Sequence, residues 1–131
     1  MAFLDWNGGL HAGVHTMDLE HGQLVRQMND LHDRCVAGAP RPLVARTLQA
    51  LYDGTLAHFR HEEAHMRQHR HRGYEAHRRI HRELMQMLTG FRDAFVKDGT
   101  SLDREFFDFL EQWLSVHILE VDASYAEDVA A

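Results

Sequence analysis

Hydrophobic residues recur every three or four positions in four stretches of the chain, which is the spacing of one face of an α-helix. No stretch alternates with the two-residue period of a half-buried strand. The most regular helical stretch runs through His77, His81, Leu84, Leu88, Phe91 and Phe95. The four stretches predict helices over about residues 17–37, 42–68, 74–97 and 102–127, preceded by an arm over residues 1–16.

Helix-breaking residues separate the four stretches. A run of glycine, alanine and proline over residues 38–42 ends the first helix, and Pro42 suits the first turn of the second. Gly73 interrupts the next connection, and Ser101 is expected to cap the fourth helix. Short connections between helices of similar length favour antiparallel neighbours. The sequence therefore predicts an all-α fold: one domain over residues 1–131, an antiparallel up-down-up-down four-helix bundle with an N-terminal arm.

Histidines and carboxylates on the predicted inward faces are the candidates for chemistry. Twelve of the 131 residues are histidine. Buried imidazoles and carboxylates without partners cost several kcal/mol, and a metal ion is a partner that they can all share. The candidate metal ligands come from all four predicted helices: His21, His58, Glu62, His77, His81, His117 and Asp122.

The spacing of these residues supports two ligand pairs. His58 and Glu62 are four residues apart, as are His77 and His81, so each pair lies on one helix face. Asp122 lies five residues beyond the last histidine, and spacing alone does not put the two on one face. Seven ligands exceed one tetrahedral zinc site and suit two octahedral ions that share bridging carboxylates.

Two other metal motifs compete with this interpretation. His61, Glu62 and His65 match the H-E-x-x-H motif of zinc proteases. However, Glu62 lies within the apolar face and His61 lies well outside it, so His61, His65 and His69 are predicted to form an exposed ladder open to adventitious zinc or nickel. A ferritin-like di-iron bundle needs two Glu-x-x-His units, and the chain has one.

Several segments resemble the hemerythrin family, particularly the single-domain bacterial hemerythrins. The similar segments are Trp6-Asn7, Asp18-x-x-His21-x-x-Leu24, His58-Phe59-x-x-Glu62-Glu63-x-x-Met66, Gly73-Tyr74 and Trp113-Leu114-x-x-His117. They cover essentially the full length. One departure is Glu20, where the family often has a glutamine before the first ligand.

This resemblance implies a non-haem di-iron centre with oxo or hydroxo and carboxylate bridges, which binds O₂ reversibly. One iron would be held by three histidines, His77, His81 and His117. The other would be held by His21 and His58, and its open position would receive O₂. Glu62 and Asp122 would bridge the two irons.

The resemblance also implies an apolar O₂ pocket and an oxygen-carrying or oxygen-storing function. The expected pocket residues are Leu24, Phe59, Trp113 and Ile118. They would keep the site dry, because water and protons would leave the iron oxidised. The protein is expected not to be an enzyme. The alternatives are a sensor of O₂ or NO, an iron store, and a di-iron oxidase or peroxidase.

Charge and composition limit the partners. The formal net charge is −6, but the stretch from Arg60 to Arg82 carries seven arginines against three glutamates, which leaves −10 for the remainder. This stretch is predicted to be a solvated loop with solvated helix faces, and the alternative is a docking site for an acidic protein partner. The acidic remainder argues against nucleic acid. Small anions and NO are further candidate ligands. A single cysteine, Cys35, and the lack of a membrane span or signal peptide predict a cytoplasmic protein, and a monomer is expected.

Overall fold

The computed structural model describes residues 15–114, with side chains from 19 to 113. This part of the chain forms four helices, α1 (His15–Val36), α2 (Arg41–Gln68), α3 (Tyr74–Asp98) and α4 (Arg104–Leu114). It contains no β-strand, so the predicted all-α class is confirmed. None of these helices is long and apolar enough over its described length to cross a membrane.

Some of the residues predicted to end or begin helices do so in the structure, and one does not. Gly38 and Gly99 follow α1 and α3 with φ of 70° and 75°, a conformation that glycine adopts without steric cost. The expected Ser101 cap is wrong. The carboxylate of Asp103 instead accepts the backbone N–H groups of Glu105 at 3.1 Å and Phe106 at 3.4 Å. The fourth helix therefore begins at Arg104, because Asp103 stands directly before the first-turn donors and Ser101 is two residues too early.

Contacts between side chains show that α1 and α2 run antiparallel. His21 lies 3.1 Å from His58, measured between their Nε2 atoms. Further along α1, a Cβ atom built on Gly54 would meet the amide oxygen of Gln27 at 2.7 Å. Residues later in α1 therefore contact residues earlier in α2, as antiparallel helices require.

The same relation holds for α2 and α3. Glu62 contacts His77 near one end of the pair, and the guanidinium of Arg41 lies 4.0 Å from the ring centre of Phe95 near the other. Near the middle, the hydroxyl groups of Tyr52 and Thr89 are 3.0 Å apart. Helix α4 joins through aromatic contacts, including Phe106 on Phe91 at 5.3 Å between ring centres.

Apolar and polar residues occupy different ends of the bundle. Most of the apolar core lies in the C-terminal halves of α1 and α3, the N-terminal half of α2 and the described part of α4, and it includes Met28, Leu31, Leu48, Leu51, Leu88, Phe95, Phe106 and Leu110, all buried. The buried histidines lie toward the opposite end, where the N-terminal halves of α1 and α3 meet the C-terminal half of α2. The core thus fixes the helices at one end and positions the polar side chains at the other.

Candidate metal centre

Helices α2 and α3 each contribute one pair of buried polar side chains. His58 and Glu62 are one helical turn apart on α2, and His77 and His81 are one turn apart on α3. The Glu62 carboxylate has 0% of its surface exposed. A fully buried charge is costly unless it is paired, so its neighbours decide its chemistry.

Glu62 lies between two sets of imidazoles. Its Oε1 atom contacts Nε2 of His77 and lies 2.8 Å from Nε2 of His81. Its Oε2 atom lies 3.7 Å from Nε2 of His58, which in turn lies 3.1 Å from Nε2 of His21 on α1. The ligand atoms of His21, His58 and Glu62 are within 4.8 Å of one another, and those of Glu62, His77 and His81 also are. Glu62 is common to both sets.

The donor chemistry and the spacing of these atoms fit metal ions. Imidazole nitrogen with carboxylate oxygen is a donor set that suits iron and other first-row metals. Two ligand atoms at right angles, each about 2.1 Å from an ion, lie about 3.0 Å apart. The separations of 3.1 Å between His21 and His58 and of 2.8 Å between His81 and Glu62 match that value.

The ionisation of Glu62 also suits a cation. Burial alone raises the pKa of this carboxyl group, but the imidazoles of His77 and His81 beside it outweigh burial and hold the pKa well below its usual range. Glu62 is therefore negatively charged at neutral pH. A buried negative charge among imidazoles compensates the charge of a metal ion.

Two further glutamates hydrogen-bond to the outer nitrogens of the imidazoles. Glu20 accepts a hydrogen bond from Nδ1 of His58 at 2.8 Å, and Glu63 accepts one from Nδ1 of His81 at 2.9 Å. An imidazole that donates from Nδ1 keeps Nε2 available as a ligand atom, and the hydrogen bond fixes the orientation of the ring. Neither glutamate is among the residues predicted from the sequence to form the site, although each directly adjoins a predicted ligand in the chain.

The surroundings of His61 and His65 disfavour the zinc-protease interpretation. The side chain of His61 is 62% exposed, and its Nδ1 atom lies 2.7 Å from the second oxygen of Glu20. Glu62 points into the bundle, so it does not form a shared site with His61. The rings of His65 and His69 lie 4.3 Å apart near the end of α2, where His69 is exposed and His65 half-buried.

Three of the expected pocket residues are buried. Phe59 stacks on the ring of His81 with 4.0 Å between ring centres, and Trp113 packs edge-on against Phe59 at 5.8 Å. Leu24 lies in the same apolar cluster. The aromatic pair therefore covers one side of the imidazoles. His117, Ile118 and Asp122 lie outside the described residues.

Comparison with known proteins agrees with the geometry of the centre. The chain matches the hemerythrin HHE cation-binding domain over residues 12–128. It is 32% identical to a bacteriohemerythrin of Pseudomonas aeruginosa, over 98% of this chain and 83% of that protein. It is 26% identical to the bacteriohemerythrin of Methylococcus capsulatus, with both chains covered fully. Identity to the myohemerythrin of Sipunculus nudus is 29%, over 92% of this chain and 88% of that one.

A solved structure extends the agreement to the fold. The crystal structure of a wild-type hemerythrin superposes with a TM-score of 0.91 at 26% identity, and the alignment covers 99% of this chain and 100% of the other. The predicted four-helix bundle is thereby confirmed. The chain belongs to the hemerythrin family of cation-binding four-helix bundles.

Proposed function

We propose that this protein binds O₂ reversibly at two non-haem iron ions and acts as an oxygen carrier or store. The observation that carries the proposal is the buried Glu62 carboxylate shared by two sets of imidazoles. Membership of the hemerythrin family supports a di-iron centre of this kind.

The proposed ligand assignment follows the two sets. His77 and His81 would hold one iron, and His21 and His58 would hold the other. His117 is the proposed third histidine of the first iron. Glu62 would be shared by the two ions, Asp122 is the second proposed shared carboxylate, and an oxo or hydroxo group would complete the centre. The iron with two histidine ligands would have fewer protein ligands than the other iron, and it is therefore the proposed binding position for O₂.

When bound, two ferrous ions supply the open coordination position and the electrons that reversible O₂ binding requires. The imidazoles would hold the ions, and the Glu62 carboxylate would offset part of their charge. Leu24, Phe59 and Trp113 exclude water from the imidazoles, and Ile118 is proposed to complete this pocket. Exclusion of water favours release of unchanged O₂ over oxidation of the site. The protein is proposed to act without catalysing a reaction.

Metal analysis and visible spectroscopy test the proposal directly. Protein from iron-replete cells should contain two irons per chain. The reduced protein should form a coloured adduct with O₂ and bleach when oxygen is removed. One zinc per chain, or oxygen consumption with turnover of a reductant and no reversible adduct, would contradict oxygen carriage. The second result would identify an oxidase or peroxidase.

Histidine variants test the ligand assignment. His77→Ala should lose iron and unfold at lower temperature, because it leaves the Glu62 carboxylate less compensated. The control variants His65→Ala and His69→Ala change histidines outside the proposed ligand sets and should keep two irons. Equal iron loss in all three variants would mean that the assigned inward face is wrong.

We also propose a cytoplasmic monomer, with NO or a small anion able to occupy the O₂ position. The single cysteine supports a reducing compartment. Sedimentation of the iron-loaded protein at the mass of one chain would agree with a monomer, and a dimer mass would contradict it.

A further inference from the structure

An arginine-lined groove runs along the outer face between α2 and α3. Arg60 on α2 and Arg78 and Arg82 on α3 line a cavity of about 500 Å³. A second cavity of about 460 Å³ shares Arg60 and Glu63 with the first and continues along α2 to Gln68. We call the two cavities together the α2–α3 groove.

Two of these arginines carry positive charge that the described residues do not neutralise. Arg78 lies 4.0 Å from Glu63 and 3.7 Å from Glu75, so it already has carboxylate partners. Arg60 and Arg82 are exposed, and neither forms an ion pair with any residue between 19 and 113. They stand on opposite walls of the groove, in a protein whose net charge is −6. Such a local basic site attracts an acidic partner.

The dimensions of the groove favour a polypeptide over a small anion. From Leu56 to Gln68 the groove follows thirteen residues of α2, or about 18 Å at the rise of an α-helix, and α3 lines the first of its two cavities. Its floor includes the apolar side chains of Leu56, Phe59 and Met85. An inorganic anion would cover little of this length, whereas an acidic protein segment with apolar side chains would contact both helices and the floor in the first cavity and continue along α2 in the second.

The groove also borders the metal centre. His81 lines it, and Nε2 of the same ring lies 2.8 Å from Oε1 of Glu62. Nδ1 of His81 is hydrogen-bonded to Glu63, which borders both cavities. A protein seated in the groove is thus separated from the proposed iron site by one imidazole ring.

We propose that the α2–α3 groove docks an acidic one-electron carrier protein, which returns oxidised iron to the ferrous state. The inference rests on the proposed function, since only a redox-active metal needs such a donor. Two encounters deliver two electrons, one for each iron, and each carrier molecule leaves oxidised by one electron. No atom is transferred. His81 and Glu63 provide the short path from the groove floor to the centre.

Charge reversal in and outside the groove tests this inference on the iron-loaded protein. The probes are a plant-type [2Fe–2S] ferredoxin and a flavodoxin, both acidic one-electron carriers. The test variant is Arg60→Glu/Arg82→Glu. The matched control is Arg26→Glu/Arg46→Glu, which changes exposed arginines elsewhere on α1 and α2. Each exchange changes the charge by −2, so both double variants go from −6 to −10.

At low ionic strength the Kd for the carriers should rise about tenfold or more in the groove variant and less than about twofold in the control. Reduction of the oxidised protein by the carriers should slow by the same factor, while reduction by dithionite should keep its rate. Equal weakening in both variants, or no binding by either carrier, would overturn the inference. Arginine-dependent binding of inorganic phosphate without carrier binding would also overturn it.

Iron content and the reversible O₂ spectrum are measured first on the same preparation. If they are absent, the proposed function fails. If they are present and the carriers do not dock, only the docking inference fails.

Discussion

Glu20 joins two imidazoles in different environments. One of its oxygens accepts from buried His58, and the other accepts from exposed His61. Burial alone raises the pKa of Glu20, but these hydrogen bonds outweigh burial and lower it. Glu20 therefore remains charged at neutral pH, and its negative charge lies beside the ring that is proposed to bind a cation.

Replacing this charge should weaken metal binding without unfolding the protein. Glu20→Gln keeps a hydrogen-bond acceptor but removes the negative charge beside His58. We expect the affinity for iron to fall about tenfold or more. Competition with a chelator of known affinity measures this change. The variant should fold, because glutamine has nearly the same shape as glutamate and the Glu20 side chain is only partly buried.

Glu83→Gln is the matched control for this prediction. Glu83 is exposed on α3 and undergoes the same change of charge. Its iron affinity should stay within about twofold of the parent. A similar loss in both variants would show that net charge, and not the hydrogen bond to His58, determines affinity.

At the scale of elements, the apolar face of α1 borders the metal centre at one end and the apolar core at the other. Leu24 is 3% exposed and lies one turn from His21, whereas Leu31 is 0% exposed and packs in the core two turns further along. Truncating either leucine to alanine should lower the free energy of unfolding by about 2–5 kcal/mol. Only Leu24→Ala should also speed autoxidation of the O₂ adduct, because its void lies beside the metal centre.

Denaturant unfolding and the decay of the oxygenated spectrum measure the two effects separately. Equal autoxidation in Leu24→Ala and Leu31→Ala would attribute the decay to general loss of stability. An unchanged rate in both variants would remove the protective function of Leu24.

Helix α3 contains a glycine that its surroundings do not require. Gly90 lies within the helix, and a Cβ atom built there would meet nothing within 4 Å. Gly90→Ala should therefore raise the free energy of unfolding by about 0.5–1 kcal/mol through higher helix propensity. Gly99→Ala should destabilise the protein, since its φ of 75° strains a residue with a Cβ. Chemical denaturation of both variants measures the difference.

At the scale of the whole molecule, periodicity predicted which helix faces point inward. The four-residue spacing of His77 and His81 indicated one shared face, and both rings are buried. Position relative to the apolar stripe likewise separated buried Glu62 from exposed His61. These features follow from local helix geometry, which the sequence specifies directly.

Contacts between distant residues were harder to predict. The bond from His61 to Glu20 joins residues 41 apart on two helices, and periodicity within one helix carries no information about that pairing. The predicted cap of the fourth helix was wrong for a different reason. Ser101 and Asp103 are both suitable caps, and only the path of the connection determines which side chain reaches the first-turn N–H groups.

The position of Glu62 has a consequence for how the protein takes up metal. One carboxylate serves both imidazole sets, so an ion bound in the first set would fix its orientation for the second. Uptake should then be cooperative, with the second ion bound more tightly than the first. Native mass spectrometry at one iron equivalent should show mainly empty and doubly loaded chains. In Glu62→Gln this coupling should weaken, and singly loaded chains should accumulate. A statistical mixture of empty, singly loaded and doubly loaded chains in the unaltered protein would mean that the two imidazole sets bind iron independently.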